Sequence, residues 1–383
     1  MRFSVDAHAI GRHLTGNEVY VKNLLHGFAA LDNGSQFIAY ISEPGAAREI
    51  PERFDCRYVA PNPFLRLGYD LTSRLRKDRP DLIHVQYTAP LGCPVPVVVS
   101  VHDISFVDHP EFFPLPRVAQ LRVTVERTVR RAARVLTPSE FSRREILRTY
   151  QVDPEKVKAI PNAVSSEYRP RSREQARALV RERFGISAPF LLTVGDLQPR
   201  KNQAGLIRAF EELVSAYPEL PHHLVIVGKE GWKGAGVRRR AQRSRAAERI
   251  HLTGFVSDED LKWFYAACEI FVFPSFYEGF GLPILEAMAS GRAVACSNAT
   301  AVPEVADACA ILFDPASTRE MTLAMRDLLI DAELRSRIER LGVQRAASYS
   351  WKNTAKRTLE VYYEIAARTS AAKPVTVKSV PVS

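Results

Sequence analysis

Two glutamates with seven residues between them, Glu278 and Glu286, stand in the run FYEGFGLPILEAMASG (276–291), with Gly279 and Gly281 in the interval. The apolar run IFVFPS (270–275) before it reads as a strand, and FYEGFG as the turn after its carboxyl end. LPILEAMAS reads as a helix, with Pro283 in the first turn and Gly291 as the C-terminal stop. Glycines let a ligand approach the backbone, and the amides that open a helix favour a phosphate or a polyhydroxyl group. Glu286 falls among Ile284, Leu285, Ala287, Met288 and Ala289, where an unpaired buried carboxylate costs several kcal/mol. It must meet something polar.

Two further sets of residues have types and positions suited to chemistry. LQPRKNQ follows the strand-like FLLTVGD and sets Arg200 and Lys201 at a loop-to-helix junction. Adjacent cations there would stabilise a diphosphate as negative charge builds on a leaving group. Taken alone, the pair is also consistent with an exposed loop on a chain with 53 basic residues. VSVHDISF puts His102 at the end of an apolar strand, the binding edge of a sheet, with a core or capping histidine as the alternative.

The elements that must position these residues alternate between short β-rich runs and amphipathic helical stretches. RFSVDA, FIAYIS, CRYVA, DLIHVQY, PVVVSVHD and ARVLTPS are the strand candidates of the first half; FLLTVGD, HLVIVGK, RIHLTGF, IFVFPS, AVACSN and AILFDP are those of the second. Such alternation predicts α/β architecture with parallel sheets covered by helices. The Pro-, Ser- and Asn-bearing stretch AIPNAVSSEYRPRSREQ (159–175) separates the two series. The expectation is two doubly wound Rossmann-like domains facing a cleft, 1–165 and 166–350, with ligands outside the carboxyl ends of the strands. A helix over 351–370 follows, and 371–383 reads as a mobile tail without helical periodicity.

A 383-residue chain with 46% hydrophobic and 25% charged residues is of soluble globular composition and long enough for two cores. No apolar run approaches a membrane span, and Met1-Arg2 leads straight into a strand rather than a signal peptide, so the expected location is cytoplasmic. Cys56, Cys93, Cys268, Cys296 and Cys309 are odd in number and scattered, which argues against a disulfide framework or a zinc site. The net charge of +10 is densest in RVAQLRVTVERTVRRAAR (117–134) and VRRRAQRSRAAER (237–249). Neither stretch has interleaved aromatic residues to stack on bases, so nucleic acid is excluded as a partner. Solvated helix faces account for most of the charge, and an anionic membrane surface is the sharper alternative for 117–134, placing the protein peripherally at the inner face of the membrane.

The sequence resembles the retaining nucleotide-sugar glycosyltransferases of the GT-B fold, group 1 type, whose mark is a glutamate, seven residues and a second glutamate. EGFGLPILE supplies that pair, and VGDLQPRKNQAGLIRAF, LVIVGKEGW, TGFVSDEDLKWFYAACEIFVFPSFYEGFGLPILEAMASG and VPEVADACAILFDP read as successive family blocks in family order. The resemblance covers nearly the whole chain. It implies that the first domain binds the acceptor and the second the nucleotide-sugar donor. It further implies that Glu278 contacts donor-sugar hydroxyls, that Gly279, Phe280, Gly281 and Leu282 present the loop that meets sugar and phosphate, and that Glu286 hydrogen-bonds the nucleotide ribose. Arg200 and Lys201 would hold the pyrophosphate, His102 would reach the transferred sugar, and Gly16 would bind the donor from the glycine-rich loop of the first domain. The last helix would cross back onto that domain. Likeness is greatest to the mannosyltransferases of bacterial surface polysaccharides, which makes GDP-mannose the first donor, UDP-glucose or UDP-N-acetylglucosamine the alternatives, and a saccharide or lipid-linked saccharide the acceptor. No cofactor is implied.

Two departures stand out. Where the family carries Gly-x-Gly-Arg-Tyr this chain has TGNEVY, with Gly16 and Tyr20 matching but Glu18 and Val19 replacing Gly and Arg, and Ala163 stands where Gly is usual. The first bears on acceptor and phosphate contacts, the second on a small backbone shift. SDED (257–260) contains a literal Asp-x-Asp, but Ser257 as N-cap with three acids in a first helical turn explains it without a metal. Among other functions, a sugar-nucleotide epimerase of the same architecture would convert donor alone, a nicotinamide dehydrogenase would need G-x-G-x-x-G where GRHLTG stands, and a binding module would show no turnover.

Overall fold

The structure is a computed structural model that describes residues 1–12, 16–31 and 34–371. Strands β1 (Arg2–Asp6), β2 (Gln36–Ile41), β3 (Phe54–Tyr58), β4 (Leu82–Gln86), β5 (Val97–Ser100), β6 (Arg134–Thr137) and β7 (Val157–Ala159) form one sheet in the order β3-β2-β1-β4-β5-β6-β7. Strands β8 (Phe190–Val194), β9 (His223–Val227), β10 (Ile250–Gly254), β11 (Ile270–Phe273), β12 (Ala293–Ser297) and β13 (Ile311–Phe313) form a second, in the order β10-β9-β8-β11-β12-β13. Neighbouring strands pair in parallel throughout.

Helices cover both faces of each sheet, so central strands are apolar along their length: β5 and β11 are buried at every position. Each apolar run named from the sequence forms one strand. The addition is β7, a three-residue edge strand in which only Val157 is buried, too short and too polar to stand out as a run. Both sheets reverse strand order at their first member, giving switch points between β1 and β4 and between β8 and β11 where loops diverge and leave a crevice.

After the second sheet the chain returns to the first. The helix Trp351–Ala371 buries Ala355, Leu359, Val361, Tyr362 and Ile365 in the core that also holds Phe3, Phe28 and Phe37. Tyr362 stands edge-on to Phe3 at 5.2 Å, Thr354 Oγ1 donates to the Pro161 carbonyl at 2.7 Å, and the Arg357 guanidinium donates to the Ala159 carbonyl. Beyond Ala371, the segment expected to be a mobile tail lies outside the described residues.

Candidate active site

The β8 carboxyl end leads through a one-turn 3-10 segment, Pro199–Lys201, into the helix Gln203–Ala216. Across the switch point, β11 leads into the loop that carries Glu278. The two loops meet through charge: Lys201 Nζ lies 2.6 Å from Glu278 Oε1, and Arg200 Nη1 lies 3.1 Å from Glu278 Oε2. Arg200 Nη1 also donates to the Tyr277 carbonyl at 2.6 Å. Burial alone would raise the Glu278 carboxyl, but the two cations overcome it and hold the group down to about 2. Burial, and then the adjacent guanidinium, lower the Lys201 ammonium, with Glu278 opposing. Two cations share this carboxylate at the floor of the cleft, where Asp103 also acts on Arg200 and Asp196 on Lys201.

Gly279 and Gly281 have different reasons to be glycine. A Cβ on Gly279 would lie 1.9 Å from the His102 carbonyl oxygen of the first domain. The Gly279 carbonyl in turn accepts from Ser139 Oγ at 2.7 Å and Ser142 Oγ at 3.2 Å, both first-domain residues. Gly279 therefore serves a close approach between domains, where the sequence suggested only approach to a ligand. Gly281, at φ +106°, caps the helix Leu282–Ala289 in a conformation open to glycine. Phe280 turns its ring into the core against Tyr349 at 5.8 Å while bordering the cleft.

The polar partner required by Glu286 is Tyr265, whose hydroxyl donates to Oε2 at 2.7 Å. Burial raises the Glu286 carboxyl to about 7 against that hydrogen bond. On the first-domain wall, His102 follows β5 with Nε2 at 2.9 Å from Gln86 Oε1. Burial pushes the ring down to about 4, so it is neutral. With the amide oxygen accepting, Nε2 carries the hydrogen and Nδ1 keeps a lone pair. The rings of Tyr20 and Tyr87 stand edge-on to His102 at 4.7 and 5.7 Å. Tyr87 has φ +59°, a left-handed conformation uncommon for a bulky residue. Gly16 opens the helix Gly16–Ala30, and Glu18, in place of a family glycine, accepts from the Gly11 amide at 2.7 Å.

One cleft of about 1010 Å³ between the two sheets is bordered by Gly16, His102, Arg200, Lys201, Glu278, the 279–282 loop and Glu286. Sequence reasoning thus found residues that the fold brings together. It missed Gln86, Tyr87, Ser139 and Tyr265. Gln86 ends a strand at the binding edge, which is a usable signal, whereas Tyr265 in an amphipathic helix looks like any core tyrosine. In SDED, Ser257 Oγ accepts from the Asp260 amide at 3.1 Å, the expected N-cap. Among the described residues no group of three or more His, Cys, Asp or Glu is placed to hold a metal ion.

Residues 179–345 match the family described as Glycosyl transferases group 1, and residues 14–168 match Glycosyltransferase Family 4. O-antigen chain mannosyltransferase B of Escherichia coli is 34% identical over 265 residues, 69% of each chain. The chain belongs to the group 1 glycosyltransferases. A D-inositol 3-phosphate glycosyltransferase of a Nocardioides strain is 28% identical to this glycosyltransferase over 287 residues, 70% of this chain and 62% of that one. Its fold is that of Anabaena HepE crystallised with UDP-glucose, at TM-score 0.76 and 19% identity over 95% of this chain and 99% of that one. WaaG, a glycosyltransferase of lipopolysaccharide biosynthesis, superposes at TM-score 0.72 with 16% identity over 94% of this chain and 99% of that one.

Proposed function

We propose that this glycosyltransferase moves a hexose, mannose from GDP-mannose in the first instance, to a hydroxyl of a saccharide or lipid-linked saccharide during surface polysaccharide synthesis, with retention at the anomeric carbon and without a metal ion. The observation that carries the reading is the Arg200–Lys201–Glu278 cluster at the β8/β11 switch point. A name supports mannose: the Escherichia coli relative is an O-antigen chain mannosyltransferase.

In this reading the donor diphosphate lies against Arg200, Lys201 and the amides opening Leu282–Ala289, the ribose against Glu286, and the sugar against Glu278 and His102. The anomeric C–O bond breaks with its electron pair passing to the diphosphate. The acceptor oxygen bonds to that carbon on the same face, and its proton goes to a donor phosphate oxygen. The second domain serves the donor and the first the acceptor. A thermal-shift screen against GDP-mannose, UDP-glucose, UDP-N-acetylglucosamine and the free nucleotides tests the donor, since a ligand at 100 times its dissociation constant adds about 2.7 kcal/mol. Stabilisation by the uridine compounds alone refutes GDP-mannose, and conversion of the donor without acceptor returns the epimerase.

Glu286 predicts a pH dependence. Its carboxyl is raised in the empty protein, so as pH rises through about 7 it ionises and becomes the stronger acceptor for ribose hydroxyls. GDP affinity should rise by up to about tenfold between pH 6 and 8, with proton release on binding. The same raised value means that this carboxyl withdraws stability from the empty protein as pH climbs from 4.5 to about 7. Calorimetric titrations of GDP into wild type and Glu286→Gln at both pH values check this, because the variant cancels the nucleotide's own ionisation. An equal slope in both proteins refutes the ribose contact.

An anionic membrane surface is the proposed docking partner. Among the described residues no helix is long and apolar enough to cross a membrane. The helix Leu115–Arg131 buries Val118, Val125 and Val129 and exposes Leu115 and Val123 beside arginines. Phe64, Leu65 and Tyr69 are also exposed, next to a Leu91 whose amide donates to the Leu67 carbonyl at 2.7 Å. The Arg127 guanidinium bonds the Ala89 carbonyl, joining the basic helix to this apolar ridge. Binding to anionic vesicles should fall as salt rises, screening acting within about 10 Å at 0.1 M, and should weaken in Phe64→Ser/Tyr69→Ser. Equal recovery with neutral vesicles refutes it.

A further inference from the structure

The first domain contains a line of buried polar side chains that the chemistry above does not use. The Tyr362 hydroxyl of the C-terminal helix lies 2.6 Å from His84 Nδ1 on β4, His84 Nε2 lies 2.7 Å from Ser100 Oγ on β5, and Ser100 Oγ lies 2.8 Å from the Tyr20 hydroxyl of the opening helix. All four side chains are buried, Tyr362 completely. Polar groups at such depth destabilise a core unless each finds a partner, and a fully connected chain also fixes the relative pose of its members.

The direction of the hydrogens follows from the ends. Burial keeps His84 neutral, with its ring pushed down to about 3, so it donates through one nitrogen and accepts through the other. If the hydrogens run toward Tyr362, that fully buried hydroxyl is left donating to no acceptor among the described residues, which costs about 1–3 kcal/mol. If they run toward Tyr20, the spare O–H falls on the end nearest the cleft. The favoured order is Tyr362 O–H to Nδ1, Nε2–H to Ser100, and Ser100 O–H to Tyr20.

Tyr20 carries the chain to the site. Its ring meets His102 at 4.7 Å, and the same imidazole meets the Tyr87 ring and the Gln86 amide oxygen. We propose that Tyr362, through His84 and Ser100, fixes Tyr20 and so the pose of His102, making Tyr362 and Tyr20 positioning residues for sugar transfer and the C-terminal helix part of the machinery. The inference rests on the reading that His102 reaches the transferred sugar.

Tyr362→Phe and Tyr20→Phe each remove one hydroxyl and keep the ring, while Ser100→Ala breaks the chain midway and serves if either phenylalanine variant is unstable. Each should lower kcat about tenfold, the scale expected when a contacting group is misplaced by a fraction of an ångström. The GDP dissociation constant should stay within about twofold, because the residues proposed for diphosphate and ribose belong to the other sheet. In ¹⁵N-histidine spectra the His102 Nε2–H signal should shift or broaden. Phe54→Leu loosens the same core at a ring that packs on Phe37 rather than on a member of the chain, and should leave kcat at the wild-type value. Wild-type kcat in all three chain variants beside an impaired His102→Ala overturns the coupling alone. Wild-type kcat in His102→Ala overturns the reading of His102 and the coupling with it, and an equal loss in Phe54→Leu reduces the chain to packing.

Discussion

Lys201→Ala should lower kcat for sugar transfer by about 10²- to 10³-fold, the usual loss when one preorganised electrostatic donor to a developing charge is removed. The fold should tolerate the change, because Arg200 stays paired with Glu278 at 3.1 Å and hydrogen-bonded to the Tyr277 carbonyl. What disappears is one of the two cations at the floor of the cleft, so the departing diphosphate meets one positive charge fewer. Glu278→Gln should fail differently. Two buried cations lose their carboxylate, so stability falls, yet both ammonium and guanidinium become free for phosphate, and GDP should bind at least as tightly as to wild type while transfer is lost. GDP calorimetry beside a product assay with and without EDTA separates these outcomes. Unchanged turnover in Lys201→Ala removes the diphosphate role from this loop, and activity abolished by EDTA and restored by Mn²⁺ overturns the metal-free reaction.

Deleting residues 351–383 should leave the first domain unfolded. Leu359, Val361, Tyr362 and Ile365 lie in the same cluster as Phe3, Phe28 and Phe37, and truncating one large core side chain typically costs about 2–5 kcal/mol. Removing all of them at once exceeds the roughly 5–15 kcal/mol by which a domain is stable. The deletion also strips His84 of its Tyr362 partner in an apolar interior. Deleting only 372–383 takes none of these residues and should leave Tm and activity at wild-type values. Circular dichroism melts and a transfer assay check both; full activity after the longer deletion shows that the helix is an appendage.

The strand-turn-helix around Glu278 was legible because each signal is local: an apolar run, a Gly-bearing turn, a proline in the first helical turn and a glycine stop. Arg200 and Lys201 were legible as a pair at a helix entrance, though not as partners of Glu278, since nothing local links positions 77 residues apart. Tertiary contacts escaped for the same reason. Tyr265 reaches Glu286 across 21 residues from a helix whose pattern reads simply as amphipathic. In the sequence Gly279 reads as room for a ligand, whereas the atom that excludes its Cβ belongs to the opposite domain. The edge strand β7 escaped because three residues with one buried valine make no period.

The carbonyl of Gly279, held by Ser139 and Ser142 from across the cleft, has a kinetic consequence. The residue after Glu278 is anchored in the wall that must withdraw if the cleft is to widen. Glu304 acts in the same sense from the second domain, accepting from the amides of Glu140 and Phe141 at the start of the helix Glu140–Tyr150. Widening breaks these bonds together, and narrowing remakes them together. A form with a wider cleft would therefore lack the restraint on the loop carrying Glu278. If exchange of donor and product requires that widening, each turnover includes one opening and one closing, and the slower of these sets a ceiling on kcat that faster chemistry cannot lift.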